Sequence, residues 1–418
     1  MKHGPQPWHR RLITLVSVIV AVMATTMALA SDRFVDVPDD NVFHDDIAAI
    51  ANAKVTLGCN PPDNDEYCPD EFVTRGQMAA FLNRLGALAP GKTPVVNAAQ
   101  LNGYGAGSFV KLLTASDGCD GIQNAIDAVP GSGGEVLLGA GTYVCNEPVV
   151  IARNYIVLRG TGAATKLRLA SGANSPLLIV GDTTASPAVT HHHVTVASMQ
   201  LEGNSAGQPD ECWGGPCDGT NFRPIRNNTL TIRGATDVLV ENVVAKDARS
   251  GGLVVELGSR RISVRGFESY AHTFDGLAAY LTEDSTFTDL FLHDNGAAGL
   301  SFDDNFNRNL ISDVVIADSA TNGVFMRYSH DNMLSNMQIR NSNEHGIFIA
   351  QIDNDPSTGA TGNTFHGLLI ADSAKDGIHV ANASNINNIV DAVQFVNNAG
   401  ACLFEVAPVV VLGETICR

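Results

Sequence analysis

A row of ionisable side chains recurs at one position of an internal repeat. Each member is the fourth residue after a glycine, and the row consists of Glu256, Tyr280, Asp303 and Arg327. An arginine can bind a carboxylate through two parallel hydrogen bonds, and a tyrosine or a carboxyl group can give or take a proton. Two carboxyl groups near one glycosidic oxygen could instead serve hydrolysis. The row therefore predicts acid–base chemistry on an outward face of the molecule.

Further candidates stand beside this row. The additional catalytic candidates are Asp275, Asp304 and His272, and the candidates for substrate binding in the same region are Tyr328 and His330. Polar residues on an outward strand face are also commonly just solvated, with opposite charges on neighbouring strands forming a simple cross-strand pair. Asp303 and Arg327 fit this second interpretation as well, and the sequence leaves both open.

The spacing of the row comes from a repeat of about 23 residues. Each repeat holds a glycine followed by alternating residues, of which the first and third are apolar and point inward. Two or three strands per repeat leave no room for a helix, and leucine-rich or propeller patterns are absent, which predicts a solenoid. We therefore predict a mainly β fold, a right-handed parallel β-helix over residues 109–418. The repeat glycines are Gly252, Gly276, Gly299, Gly323, Gly346 and Gly377, and an insertion at residues 353–360 widens the last interval.

A long irregular segment, residues 182–228, interrupts the strands ahead of these repeats. It carries Trp213 between two cysteines, and Arg223 and Arg226 follow. A tied loop with an exposed tryptophan could stack on a sugar ring, and Arg223 could then bind an acidic group. Packing of Trp213 against the barrel is the equally open alternative.

The start of the repeat region resembles the pectate-lyase-like superfamily. Residues 120–129 have the pattern of an amphipathic helix, and residues 134–144 and 156–162 form a strand, a turn and further strand. In that superfamily, a short helix covers the open end of the barrel, which would otherwise expose unpaired strand edges. The resemblance implies a right-handed parallel β-helix for the whole of this region.

Two enzyme families within that fold show local similarity. One set of segments resembles alginate C5-epimerases: residues 269–280, which include Asp275 and Gly276, and the turn at residues 293–296. The pair Asp303–Asp304 and the run 344–346 are similar to parts of the polygalacturonase motif set. The resemblance implies an extracellular polysaccharide as the partner and substrate.

The first thirty residues have the pattern of a secretory signal peptide. A basic start is followed by an apolar run over residues 12–27 and by Ala-Leu-Ala at 28–30. This predicts export, and we expect no membrane span once the signal is removed. Eight cysteines in an exported chain predict four local disulfides, Cys59–Cys68, Cys119–Cys145, Cys212–Cys217 and Cys402–Cys417.

Residues 32–86 form a predicted helical module, and residues 87–108, rich in Pro, Gly, Ala and Asn, a linker. This module closely resembles a surface-layer-homology repeat, and the resemblance rests on residues 34–38, 57–59 and 73–79. In this resemblance, the Cys59–Cys68 disulfide closes the loop between the two helices. The resemblance implies binding to a cell-wall polymer through Thr74 and Arg75. A plain folding or docking cap is the alternative.

Composition narrows the range of partners. The formal net charge is −18 and no lysine or arginine run is present, which disfavours nucleic acid and anionic membranes. No cofactor is evident, although Ca²⁺ could bind acidic clusters such as Asp303–Asp304 or Asp353–Asp355. We expect a secreted or wall-associated β-helix protein acting on polysaccharide as a uronate lyase or C5-epimerase. A non-catalytic carbohydrate-binding protein and a glycoside hydrolase are the alternatives.

Overall fold

The computed structural model describes residues 33–85, 100–101, 104–105, 111–184, 186–215, 217 and 225–418. The chain divides into two compact units, Met1–Gly103 and Tyr104–Arg418. The predicted signal peptide and most of the predicted linker lie outside the described residues. None of the described helices is long and apolar enough to cross a membrane.

The described part of the first unit contains two short helices, α1 (His44–Asn52) and α2 (Arg75–Leu85). Helix α1 buries Ile47 and Ala51 against Phe34 and Val37 in a small core of its own. The carboxylate of Asp36 accepts the backbone N–H groups of residues 67 and 68 at 2.7 and 2.6 Å, which fixes the loop between the helices. The predicted disulfide Cys59–Cys68 closes the same loop.

The second unit is built almost entirely of short parallel strands. It has one helix, α3 (Gly118–Ala128), and three single turns of 3₁₀ helix within its described residues. The strands of the chain, in order, are β1 Gln100–Leu101, β2 Tyr104–Gly105, β3 Lys111–Leu113, β4 Gly134–Leu138, β5 Gly141–Cys145, β6 Val149–Ile151, β7 Ile156–Arg159, β8 Thr165–Leu169, β9 Leu178–Gly181, β10 His191–Glu202, β11 Cys212–Trp213, β12 Ile225–Arg226, β13 Leu230–Arg233, β14 Ala235–Lys246, β15 Leu253–Glu256, β16 Arg260–Tyr270, β17 Leu277–Tyr280, β18 Thr286–His293, β19 Leu300–Asp303, β20 Phe306–Asn307, β21 Leu310–Ala317, β22 Val324–Arg327, β23 Ser329–His330, β24 Met333–Arg340, β25 Ile347–Ala350, β26 Thr364–His366, β27 Leu369–Ala371, β28 Ile378–Val380, β29 Ile389–Asp391, β30 Gln394–Val396, β31 Leu403–Glu405, β32 Val410–Leu412 and β33 Ile416–Cys417.

Ten of these strands form one continuous sheet, called here the site sheet. Its order is β6, β9, β13, β15, β17, β19, β22, β25, β28 and β31, so each strand pairs with the equivalent strand of the next rung. The repeat glycines stand just before its strands. A Cβ atom on Gly323 would lie 2.3 Å from Cγ2 of Ile339 and 2.6 Å from the carbonyl oxygen of Gly346. Glycine is therefore required there because the chain passes too close for any side chain.

The other faces of the solenoid come from longer strands that bend. Near their starts, β10, β14 and β16 each hold one left-handed residue, at positions 193, 237 and 261. In the middle of each of β10, β14, β16, β18, β21 and β24 a further residue adopts a left-handed conformation, and the parallel pairing continues on both sides of it. These residues are Ser198, Asn242, Gly266, Asp289, Asp313 and Asn336. Glycine, asparagine and aspartate tolerate this conformation best, which explains the residue type at all of these positions except Ser198. The bend turns one long strand into two faces.

A single apolar core fills the coil from Leu113 to Ala407. Helix α3 closes the first end with Ile122 and Ile126, both fully buried, and Cys119–Cys145 ties it to β5. Cys402–Cys417 links the last rungs, and Cys212–Cys217 closes the loop before β12, as predicted. The predicted fold class is confirmed, because the described second unit consists of long parallel sheets around one core.

A ladder of buried asparagines holds one corner of the coil. The amide nitrogens of Asn309, Asn332 and Asn363 each donate to the side-chain oxygen of the asparagine on the next rung, at 3.1, 2.9 and 3.0 Å, ending at Asn388. The same oxygens also accept the backbone N–H groups of the preceding ladder residues. Buried polar groups are tolerated when they are paired in this way.

Replacing one ladder residue should destabilise the protein far more than replacing an exposed asparagine. Asn332→Ala removes the acceptor of two N–H groups of Asn309, and each buried group left unpaired costs about 1–3 kcal/mol. Asn343→Ala, which loses one long exposed bond to the Ala320 carbonyl, should change the free energy of unfolding by about 0.5 kcal/mol or less. Denaturant unfolding measures both. Equal midpoints for the two variants would contradict a structural role for the ladder.

Candidate functional site

Most of the predicted row lines one cavity of about 670 Å³ on the outward face of the site sheet. Parallel pairing brings the row together, since Tyr280 lies directly beside Asp303 in the register of β17 and β19. Glu256 ends β15, one rung earlier. The lining residues are Ile225, Arg226, Asn228, Val254, Glu256, Tyr280, Asp303, Asp304 and Ile352.

Glu256 lies over a buried cation. Nε of Arg233, which is only 2 % exposed, is 3.4 Å from Oε1 of Glu256. Arg233 also donates from Nη2 to the carbonyl oxygen of Thr184 at 3.0 Å. Burial raises the pKa of Glu256 because it disfavours the charged form, and the positive charge of Arg233 opposes that rise. Glu256 is therefore a carboxyl group biased toward holding its proton.

Tyr280 and Asp275 form a second pair of proton-holding groups. Burial raises the pKa of the Tyr280 phenol, and the charges of Asp275 and Asp303 raise it further. Burial also raises the pKa of Asp275 to about 6, although its Oδ1 accepts the backbone N–H of Ala298 at 2.9 Å. Ser301 donates a further hydrogen bond that favours the carboxylate. Asp275 therefore changes charge close to neutral pH.

Asp303 and Arg327 form the cross-strand ion pair that the sequence allowed. Nε of Arg327 donates to Oδ2 of Asp303 at 3.1 Å, and Nη2 donates to the same oxygen. The guanidinium also lies 5.1 Å from the ring centre of Phe325. Burial raises the pKa of Asp303, and Arg327 opposes that rise. Arg327 is thus engaged by Asp303 and is not among the residues that line the cavity.

Arg226 supplies the positive charge in the cavity. It ends β12 in the irregular segment, forms an ion pair with Glu211 and lies 5.1 Å from the ring centre of Phe274. The repeat pattern does not predict it because it lies outside the repeats. The sequence signal that could have pointed to Arg226 is its position in the loop that precedes the first repeat glycine.

The remaining predicted residues are distributed around the cavity. Trp213 is partly exposed and pairs with Ile225, a lining residue, through β11 and β12. The rings of Tyr328 and His330 meet edge to face at 5.3 Å, and Nδ1 of His330 is 2.8 Å from Oγ1 of Thr361. None of these three side chains lines the cavity. Arg223 lies outside the described residues.

His272 is placed inside the coil rather than in the cavity. It is 3 % exposed, and its Nδ1 accepts the backbone N–H of Ala248 at 3.0 Å. Burial lowers its pKa to about 3, so the imidazole is neutral at ordinary pH. The structure therefore gives His272 a packing role and does not bring it into contact with the row.

Two groups of three metal-ligand side chains occur within the described residues. One contains Cys59 and Cys68, whose sulfurs are joined to each other, with Glu66. The other is His345, Asp376 and His379, on rungs beyond the cavity. The acidic pairs considered for Ca²⁺, Asp303–Asp304 and Asp353–Asp355, belong to neither described group.

Comparison with known proteins places the fold. The family described as "Periplasmic copper-binding protein (NosD)" matches residues 215–406, and no curated protein matches the chain. The chain is similar in structure to ORF18 of Geobacillus virus E2, with a TM-score of 0.60 and 13 % identity over 73 % of this chain and 62 % of that one.

Two bacterial enzymes share the architecture. The A-module of the Azotobacter vinelandii mannuronan C-5 epimerase AlgE6 has a TM-score of 0.52 and 15 % identity over 73 % of this chain and 99 % of that one. The Yersinia enterocolitica family 28 exopolygalacturonase has a TM-score of 0.54 and 14 % identity over 73 % of this chain and 71 % of that one.

These likenesses establish the fold. This chain is a right-handed parallel β-helix protein, and its four disulfides fit an extracellular or periplasmic compartment.

The raised pKa of Asp275 should make stability depend on pH. The folded state holds the Asp275 proton more tightly than the unfolded chain, so this residue lowers stability as pH rises from about 4 to about 6. Asp275→Asn keeps the acceptor oxygen and stays neutral. We expect the variant to gain on the order of 1–2 kcal/mol over the wild type across that interval. Denaturant unfolding at several pH values measures the difference, and a constant difference would contradict the assignment.

Proposed function

We propose that this exported β-helix protein acts on a polysaccharide and that the cavity hydrolyses a glycosidic bond. The observation that carries the proposal is the convergence of Glu256, Asp303, Asp304 and Tyr280 in one cavity, whose size is typical of a small-molecule site. Enzymes that act on polysaccharides are among the solved structures with this fold, which is consistent with the proposal.

The positions of the carboxyl groups suit a division into acid and base. Glu256 and Asp303 end strands two rungs apart, which places their backbones roughly 9.6 Å from each other. Inverting glycosidases hold their two carboxyl groups about 6.5–9.5 Å apart to admit a water molecule, and side chains that lean slightly toward each other from this backbone separation would reach that range. Glu256 is the proposed general acid, because its pKa is raised. Burial raises the pKa of Asp303 as well. Asp303 is nevertheless the proposed base, because two N–H groups of Arg327 bind its ionised form more closely than Arg233, at 3.4 Å, binds that of Glu256.

The charge of the cavity distinguishes hydrolysis from the lyase and epimerase reactions. Hydrolysis passes through a positively charged, oxocarbenium-like state, which carboxylates stabilise. Removal of a proton from C5 of a uronate builds negative charge, which the same carboxylates oppose. The acidic lining therefore favours hydrolysis over the reaction that the sequence resemblance suggested.

A uronate lyase or C5-epimerase is the second candidate, and Arg226 favours it. Its guanidinium is ion-paired with Glu211 but is half exposed and lines the cavity, so it could also bind a uronate carboxylate. The phenol of Tyr280, whose pKa is raised, could return a proton. This reaction would need Arg226 to offset the lining acids. Arg327, the arginine in the predicted row, is already paired with Asp303.

The matched family is described as copper-binding, and one group of side chains in this chain has suitable donors. The described chain has no free cysteine, and the group of His345, Asp376 and His379 offers two imidazoles, which suit copper and neighbouring divalent ions. The group lies outside the cavity lining, so the proposed hydrolysis passes through no metal ion.

Turnover on alginate, polygalacturonate and glucuronan tests the reaction. We expect new reducing ends without the ultraviolet absorbance of an unsaturated uronate. Glu256→Gln and Asp303→Asn should each lower kcat by about 10²-fold or more, because general acid–base groups contribute that much. Glu344→Gln is the matched control, because Glu344 is an exposed acid that is paired with Lys375 and does not line the cavity, and it should keep full activity.

Other outcomes separate the alternatives. Ultraviolet-absorbing products would replace hydrolysis with a lyase, and C5 proton exchange without cleavage would indicate an epimerase. Binding of a polymer with no turnover on any of them would leave a carbohydrate-binding protein. Unchanged kcat in both carboxyl variants would reject the cavity as the active site.

The first unit is proposed to hold the protein to a cell-wall polymer, as its resemblance to a surface-layer-homology repeat suggests. Thr74 caps α2, donating to Oε1 of Gln77 and accepting the Gln77 backbone N–H at 3.2 Å. Its hydroxyl is thus occupied in shaping the helix start. Arg75 follows at the first helical position and is exposed, so its charge is available to an acidic polymer.

Arg75→Ala should therefore weaken retention on wall preparations. Arg340→Ala, which removes a similarly exposed cation from the second unit, should not. Sedimentation of the protein with purified walls, at low and at high salt, measures retention. The loss should shrink at high salt because the attraction is electrostatic. Equal retention of Arg75→Ala and the wild type would remove the anchor and leave a folding or docking cap.

A further inference from the structure

Three side chains with metal-binding chemistry meet on the outward face of the site sheet, beyond the cavity. His345 and Asp376 each precede a repeat glycine, so they occupy equivalent places on neighbouring rungs. His379 is the second residue after Gly377 and pairs with Phe348 in the register of β25 and β28. Two consecutive rungs thus supply all three groups.

Their separations match those of ligands around one ion. Oδ2 of Asp376 is 2.7 Å from Nδ1 of His379 and 3.4 Å from Nδ1 of His345. One ligand atom from each residue lies within 4.8 Å of the other two. Ligands held about 2.0–2.1 Å from a tetrahedral ion lie roughly 3.3 Å apart. Only small side-chain movements would therefore bring the three atoms around an ion.

The surrounding contacts orient the Asp376 carboxylate and pair the neighbouring lysine. The other oxygen of Asp376 accepts the backbone N–H of Ala401 at 2.6 Å, which orients the carboxylate and leaves Oδ2 toward the imidazoles. Lys375 next to it is paired with Glu344 at 2.9 Å.

Two existing hydrogen bonds would have to yield, one at each imidazole. The first joins Nδ1 of His379 and Oδ2 of Asp376 at 2.7 Å, and the second is at His345. The backbone N–H of Asp376 donates to Nδ1 of His345 at 3.2 Å, close to the long limit for such a bond. An ion at that nitrogen would replace this single hydrogen bond. Asp376 and His379 retain 16 % and 21 % side-chain exposure, so solvent reaches the group and open coordination positions would remain for water.

An aromatic stack fixes the His379 ring. Its ring centre is 5.4 Å from that of Phe348 and 4.5 Å from that of Phe404, with interplanar angles of 17° and 11°. Phe325 continues the same column at 5.8 Å from Phe348. The rings at the equivalent position of the neighbouring strands, Phe325, Phe348 and Phe404, are phenylalanines, and the ring of His345 also stacks on Phe348, at 5.6 Å. The column contains an imidazole only at the rung where Asp376 stands next to it.

We propose that His345, Asp376 and His379 bind one divalent transition-metal ion of the class that prefers imidazole with carboxylate, such as Zn²⁺. The site is separate from the proposed hydrolytic cavity and does not rest on its activity. Its ligands are two imidazoles and one carboxylate on a rigid sheet, with further positions open to water.

The test uses the full chain, first freed of metal by a chelator and then titrated with Zn²⁺ by calorimetry. We expect one Zn²⁺ per chain from this site. His379→Phe keeps the aromatic stack, since a phenylalanine fits between Phe348 and Phe404, but removes a ligand. It should weaken binding at this site by about 10-fold or more, as should Asp376→Asn. Co²⁺ should give the visible absorption of a low-coordinate nitrogen and oxygen site in the wild type and lose it in His379→Phe.

Matched controls separate this site from other histidines. His366→Phe removes the imidazole of an exposed pair with Asp391 at 2.8 Å, and His192→Ala removes one from a run of three. Both should bind Zn²⁺ like the wild type. Zn²⁺ should also raise the unfolding temperature of the wild type but not of His379→Phe. Wild-type binding by a folded His379→Phe, or its loss in His192→Ala alone, would overturn the proposal.

Discussion

In-register hydrogen bonding between parallel strands is the constraint on which the rest of this molecule depends. Each strand of the site sheet lies about 4.8 Å from its neighbours, with equivalent residues side by side. A side chain is therefore set against its counterpart on the next rung. The Asn309–Asn388 ladder and the Phe325–Phe404 stack are two results, since amides pair through hydrogen bonds and rings through their faces. The asparagine ladder saturates its buried amides, which makes the corner both rigid and intolerant of substitution.

The same constraint creates an electrostatic problem that the cavity resolves by alternation. Like charges directly opposite each other on neighbouring strands are unfavourable. In the row, the phenol of Tyr280 stands between Glu256 and Asp303, so the two carboxyl groups never face each other directly. Cations complete the arrangement at both ends, with Arg233 beneath Glu256 and Arg327 beside Asp303. The cavity can thus collect carboxyl groups at a cost that the scaffold tolerates.

The regular period of the repeat made part of the site predictable, and residues outside that period were not. The glycine spacing placed Glu256, Tyr280 and Asp303 on one face, because a parallel solenoid leaves only one arrangement for residues at equal positions. Arg226 escaped prediction because an irregular loop positions it. The group around His379 escaped because its residues stand at repeat positions other than that of the predicted row. His272 is buried although it was a catalytic candidate, since a turn position alone does not reveal which way a side chain points.

The insertion between β25 and β28 shows how this architecture can change. Eight additional residues leave the chain at Ile352 and return to the coil, while β25 and β28 still pair in register. Ile352 itself forms part of the cavity wall. The length of a loop at a rung corner can therefore change without moving any strand. The shape of the cavity wall can vary in this way while the parallel sheets stay the same. Insertions at this corner could change which ligands fit the cavity, while the strands keep the acidic row in place.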